Sequence, residues 1–181
     1  MFIGGSMSLT DKRVDRMLQR RNITATAIYY SPITAWLVTL LLFLMYFGLA
    51  LYLILVSGYY LYMAIYLIVG YLVAARMNTT FAITDNELIA VNPNFPFNRV
   101  DVIALSDIEH ITIDRTRRRW HYAFFVFGDN YLLIKTKTST MKYYCPGLEM
   151  DAFDENWTEL TIEDLHYALT KRGVGVSFNL E

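Results

Sequence analysis

No charged residue occurs between positions 22 and 75 of this 181-residue chain. Within that gap, residues 33–75 are almost continuously apolar or aromatic. A single helix of that length would be about 65 Å long at 1.5 Å per residue, roughly twice the hydrocarbon core of a bilayer. Two spans fit the run better. Ser57-Gly58 marks the break, because glycine takes the backbone conformations a tight turn demands. The sequence therefore predicts a two-helix transmembrane hairpin over residues 32–77, with helices at 32–56 and 59–77. Pro32 suits a helix start, where its missing N–H is not needed. The run begins too late and is too long for a signal peptide. A helical hairpin buried in a globular core is the competing reading, and the length of the run argues against it.

Lysine and arginine placement predicts the orientation. Lys12, Arg13, Arg16, Arg20 and Arg21 precede the run, Arg76 closes it, and the turn between the spans carries no charge. Both termini are then cytoplasmic, in an integral inner (plasma) membrane protein. The lone Cys145 cannot form an internal disulfide, which fits a reducing compartment. Residues 1–31 form a basic segment. Leu9, Val14, Met17 and Leu18 share a face of a helix opened by Thr10, with Lys12, Arg13, Arg16 and Arg20 around it. That helix is either an interfacial amphipathic element or a topology signal.

From Asn78 the apolar period becomes that of strands. Phe81 and Ile83 alternate with Ala82 and Thr84, Asp85-Asn86 supplies a turn, and residues 87–91 return as the second arm of a hairpin. Further strands are predicted at 99–105, 108–115, 119–127, 131–137 and 141–145. A final helix is opened by Thr161, carries Ile162, Leu165, Ala168 and Leu169 as an apolar stripe, and ends at Gly173. The expected fold is thus a membrane α-helical hairpin plus a mostly-β domain over residues 78–181. That domain has seven strands in a small barrel or sandwich, capped by the C-terminal helix.

The order of a transmembrane hairpin, then F-A-I-T-D-N-E-L-I-A-V, then V-I-A-L-S-D-I-E-H-I-T-I-D-R resembles the bacterial pleckstrin-homology-like (PH-like) membrane proteins. The residues that carry the resemblance are Thr84, Asp85 and Leu88, then Ile103, Leu105, Ile108 and Ile111. The resemblance covers about residues 78–173. It implies a PH-like seven-stranded barrel closed by the last helix, and binding or scaffolding rather than chemistry. The long strand expected at 120–127 and the acidic connection before the last helix depart from the family pattern. The loop at Asp85-Asn86 has no base, so phosphoinositide specificity is not carried over.

No glycine-rich phosphate loop, no metal-spaced Cys/His cluster and no H-E-x-x-H occurs. The sequence assigns no catalytic, cofactor-binding or metal residues, so the expectation is a protein that is not an enzyme. His110, His121 and His166 are far apart along the chain, with His166 expected on a helix surface and Cys145 expected as packing. Asp151, Asp154, Glu155 and Glu159 lack the glycine and ligand order of a calcium loop and read as a solvated acidic segment.

Two features point to contacts. Arg115, Arg117, Arg118, Arg119 and His121 form an exposed cluster suited to bidentate oxyanion contact. Three readings stay open for it: pairing with the acids of residues 149–164, contact with anionic lipid headgroups, or a protein dock. In the predicted membrane helices, Tyr62 and Tyr66 lie a turn apart, and Gly70 and Ala74 form a small-xxx-small pair. These four are the candidate transmembrane interface, either between the two spans or to another subunit. Residues 78–181 hold ten Lys and Arg against fifteen Asp and Glu, which argues against a nucleic-acid partner. The expected function is a non-catalytic, membrane-anchored adaptor that binds a protein partner or another copy of itself, with membrane lipids as a secondary contact. The alternative is a structural subunit of a larger membrane complex held by the tyrosine-rich helices.

Overall fold

Strand-period alternation from Thr80 onward needs cross-strand partners, and the computed structural model shows where they come from. It describes residues 9–31, 41, 48, 52, 55, 56, 58, 60–76, 78–116, 129–145 and 162–179. Along these run α1 (Leu9–Gln19), β1 (Ala27–Tyr29), α2 (Tyr60–Arg76), β2 (Thr80–Ile83), β3 (Glu87–Asn92) and β4 (Arg99–Ala104). A 3-10 turn (Leu105–Asp107) leads to β5 (Ile108–Thr116), β6 (Asp129–Thr136), β7 (Thr140–Tyr144), α3 (Ile162–Lys171) and β8 (Val176–Asn179). The strands make two four-stranded sheets, ordered β1-β2-β3-β4 and β7-β6-β5-β8. All neighbours are antiparallel except β5 and β8, which are parallel.

The β2–β3 hairpin is specified locally. Thr84 accepts from the Glu87 amide at 3.0 Å through its hydroxyl, and its own amide donates to the Glu87 carbonyl at 3.0 Å. Asp85-Asn86 is left as the tip, the side-chain-stabilised turn that threonine favours. Alternation then splits the hairpin between two cores. Phe81, Ile83, Leu88 and Ala90 face the shared core of the two sheets, with Ile111, Ile113, Leu132, Ile134 and the α3 residues Ile162, Leu165 and Leu169. Ala82, Ile89 and Val91 face the other way, onto Val14 and Leu18 of α1. Both α1 and α3 end in the same cap. Asn22 and Gly173 take the left-handed conformation (φ 53° and 81°), and the next residue's amide reaches back to Leu18 and Leu169 respectively.

Several expectations need correction. No helix among the described residues is long and apolar enough to cross a membrane. The second expected span is α2, with 17 residues, about 26 Å long at 1.5 Å per residue. Its limits have local causes: Gly58 turns the chain with φ 73°, and β2 begins at Thr80. The carbonyls of Ala75 and Arg76 accept from the Asn92 amide at 3.0 and 3.4 Å. Nearly all of the first expected span lies outside the described residues. The transmembrane hairpin, and with it the integral-membrane placement, is therefore set aside. Gly70 and Ala74, expected at an interface between membrane helices, are already buried in this chain.

The seven-stranded barrel closed by a terminal helix is corrected as well. Among the described residues the strands form two four-stranded sheets, β1 completes the first, and β8 follows α3 instead of that helix ending the domain. The strand expected at 119–127 lies outside the described residues. The α1 helix turns its apolar face to a sheet, where Val14 and Leu18 are 1% and 3% exposed, while Leu9 is 77% exposed. Replacing Leu18 with alanine should destabilise the fold by about 2–5 kcal/mol. Leu9→Ala should change it by less than about 0.5 kcal/mol. Urea denaturation checks both, and equal effects would place α1 off the sheet.

Candidate binding cleft at the seam of the two sheets

β4 and β7 are outer strands of their sheets, and residues of both line a cleft of about 540 Å³. The seam beside it is tied at the backbone, where the Thr79 amide donates to the Tyr144 carbonyl at 3.2 Å. It is tied again by side chains. The Tyr143 hydroxyl donates to Asp101 Oδ2 at 3.0 Å, and Arg99 Nε meets Asp101 Oδ1 at 2.5 Å. The Tyr143 ring packs edge-on against Phe81, with centroids 6.1 Å apart, so a core residue carries its hydroxyl to the cleft wall. Burial holds the Tyr143 hydroxyl well above its ordinary pKa, and the charge and hydrogen bond of Asp101 add to this. The hydrogen bond to Asp101 holds Arg99 above its ordinary value too.

Lys142 sits one residue away in β7 and so takes the opposite face from Tyr143. Its ammonium lies 3.5 Å from the centroid of Tyr131 and 4.7 Å from that of Tyr144, within cation–π range. Tyr131 in turn donates to Asp114. Arg76 closes α2 at the cleft edge, and Phe97 and Asn98 complete the wall. The loop that brings them there is pinned to α2, since the Tyr71 hydroxyl donates to the Phe95 carbonyl at 2.7 Å. A second cleft, about 640 Å³, is lined by Arg21 together with Asp85 and Glu87, so its charges are mixed.

Of the arginine cluster expected to make contacts, Arg115 stands in β5 opposite Asn130 of β6. Arg117, Arg118, Arg119 and His121 lie outside the described residues, as do Asp151, Asp154, Glu155 and Glu159. Tyr62 is an exposed residue of α2, and Tyr66 lies one turn along the same helix. Cys145 is fully buried in the core. The His166 ring lies against Phe178, tilted by 49°, with ring centroids 4.7 Å apart. His110 Nε2 lies 2.7 Å from the Ser177 hydroxyl on the adjacent β8. That separation suits a nucleophile and base, but the pair sits on an exposed sheet face, outside both clefts described above. It serves as a cross-strand tie.

Sequence reasoning missed Arg76, Arg99, Asp101, Lys142 and Tyr143 as one group. The faint signals were Arg99-x-Asp101 and Lys142-x-Tyr144, i, i+2 pairs that share a strand face. Nothing along the chain shows that those two strands meet. No family model matches this chain, and no curated protein matches it.

The Tyr143 environment has a pH consequence. An unfolded tyrosine ionises near its ordinary value of 10.0, while folded Tyr143 resists ionisation. Its contribution is fully present below about pH 10 and is lost as pH climbs toward the folded value. Tyr30, half-buried and bonded to Asp15, is shifted in the same direction. Stability should therefore fall above about pH 10, and less steeply in Tyr143→Phe. Denaturant midpoints measured across that range check the slope, and an unchanged slope would show that Tyr143 ionises as freely in the fold as out of it.

Proposed function

We propose that the protein is a non-catalytic adaptor that binds a protein partner, with α2 as the principal contact. The observation that carries this reading is the exposure of apolar side chains on that helix. Leu61 is 72% exposed, Ile68 57% and Ile65 49%, and Tyr62, Leu67 and Val69 are exposed as well. At 3.6 residues per turn they spread over more than half of the circumference. Gly70 and Ala74 occupy the buried remainder. Single exposed apolar residues are ordinary on a surface, but a contiguous group marks a contact site. The helix is held firmly enough to present it, through Asn92 at its C-terminal carbonyls and Tyr71 on the Phe95 carbonyl. A partner surface of matching apolar character is the chemistry that would cover it.

The breadth of the exposed arc favours a second reading, a structural subunit that is surrounded on several sides in a larger assembly. Native mass separates the two. The adaptor is expected to form a complex with one partner, and the subunit an assembly of several chains. The combined change Leu61→Ser, Ile65→Ser and Ile68→Ser should release the chain to its own mass of 21.1 kDa, with its thermal transition unchanged. Light scattering on material purified from native cells reads both. A complex that survives the triple change, or a wild-type chain that runs alone, would refute the role of α2.

A further inference from the structure

Three cationic side chains, Arg76, Arg99 and Lys142, line the cleft at the seam together with Asp101. Asp101 is the acid of its wall, and it is already engaged by Arg99 and by the Tyr143 hydroxyl. Arg76 and Lys142 also line the cleft, and among the described residues no carboxylate pairs with either. Residues 78–181 carry an excess of acids, so two such cations on one wall run against the local balance. Their surroundings are specific. The Lys142 ammonium lies over the rings of Tyr131 and Tyr144. Arg76 is the last residue of α2, and its backbone carbonyl accepts from the Asn92 side chain. A guanidinium offers paired N–H donors that match a planar carboxylate or a phosphate face, and an ammonium adds a compact point charge. Phe97 and Tyr144 supply aromatic surface in the same wall. A volume of about 540 Å³ falls in the range of small-molecule sites, which pair apolar walls with a few placed polar groups.

We propose that this cleft binds a small organic oxyanion. Its carboxylate or phosphate group is taken by Arg76 and Lys142, and its planar or apolar part rests against Phe97 and Tyr144. Asn98 is an additional polar group of the wall, placed to reach the ligand's other polar atoms. The Tyr143–Asp101–Arg99 bridge is the back of the site, and it engages Asp101, the one carboxylate among the described residues of the wall. The site is separate from the exposed arc of α2 and does not depend on the protein partner proposed above.

The test is isothermal titration of the full chain with phenyl phosphate, benzoate and neutral benzyl alcohol, at low and at moderate salt. At least one of the two anions is expected to bind saturably and benzyl alcohol not to bind. Charge-assisted hydrogen bonds contribute about 1.5–3 kcal/mol each, so Arg76→Gln and Lys142→Gln should each weaken binding about tenfold or more. Arg21→Gln, in the other cleft, should leave it unchanged. Both cations are exposed, so the variants are expected to fold, and thermal transitions verify it. Preference for phenyl phosphate assigns a phosphorylated ligand, and preference for benzoate a carboxylic acid. Three results overturn the proposal: no saturable binding of either anion up to about 10 mM, equal binding of the neutral alcohol, or binding that both Arg76→Gln and Lys142→Gln leave intact.

Discussion

The β2–β3 hairpin is buried on both faces, and everything else in the fold is arranged to satisfy that. Every residue of β2 and four of the six in β3 are buried. A strand pair of that kind needs a cover on each side. The second sheet and α3 cover one face through Leu132, Ile134, Leu165 and Leu169, and α1 covers the other through Val14 and Leu18. The elements α1 and β1 are thus packed and paired with the later strands. β1 also pairs directly with β2, Tyr29 opposite Phe81, and the Tyr29 hydroxyl reaches the Asp164 carbonyl on α3 at 3.4 Å.

The chain leaves β1 and re-enters β2 at one polar place. Ser31, Asn78, Thr79 and Thr80 are all buried there. The Ser31 amide donates to the Thr80 hydroxyl at 3.1 Å. The Asn78 amide group and the Ser31 hydroxyl find no partner among the described residues. Unsatisfied buried polar groups of this sort cost about 1–3 kcal/mol each. The spot adjoins the cleft, since Thr79 both lines it and bonds to Tyr144 across the seam. Structural tie and candidate binding surface therefore share one region.

Locally encoded features were legible before the structure. Thr84-Asp-Asn-Glu87 reads as a hairpin turn, and the fold uses it as one through the Thr84 hydroxyl. Gly173 reads as a helix cap and takes φ 81°. The stripe Ile162, Leu165 and Leu169 reads as a buried face, and all three are in the core. Two strands were not legible. β1 is three residues inside a long charge-free run, too short to show a period of two. β8 follows a helix cap, and its parallel pairing with β5 is non-local. The charge-free run misled about the membrane, although the Gly58 break and the approximate limits of the second helix were read from it. Gly58 turns the chain just before α2, and the carbonyl of Ala75 at the other end is capped by Asn92, 17 residues away.

The sequence by itself determined the elements whose signals lie within a few residues: the hairpin turn, the amphipathic faces of α1 and α3, and the Gly173 cap. These rest on backbone preference and on side-chain period, which act over one or two turns. Tertiary structure alone decided that α1 faces a sheet, that β1 and β8 exist as strands, and that Arg76, Lys142 and the Arg99–Asp101–Tyr143 bridge share one cleft. Asp101 and Tyr143 are 42 residues apart in the chain and meet at 3.0 Å. Such a meeting is set by which sheet edges come together when the core closes, and no local pattern of residues carries that information.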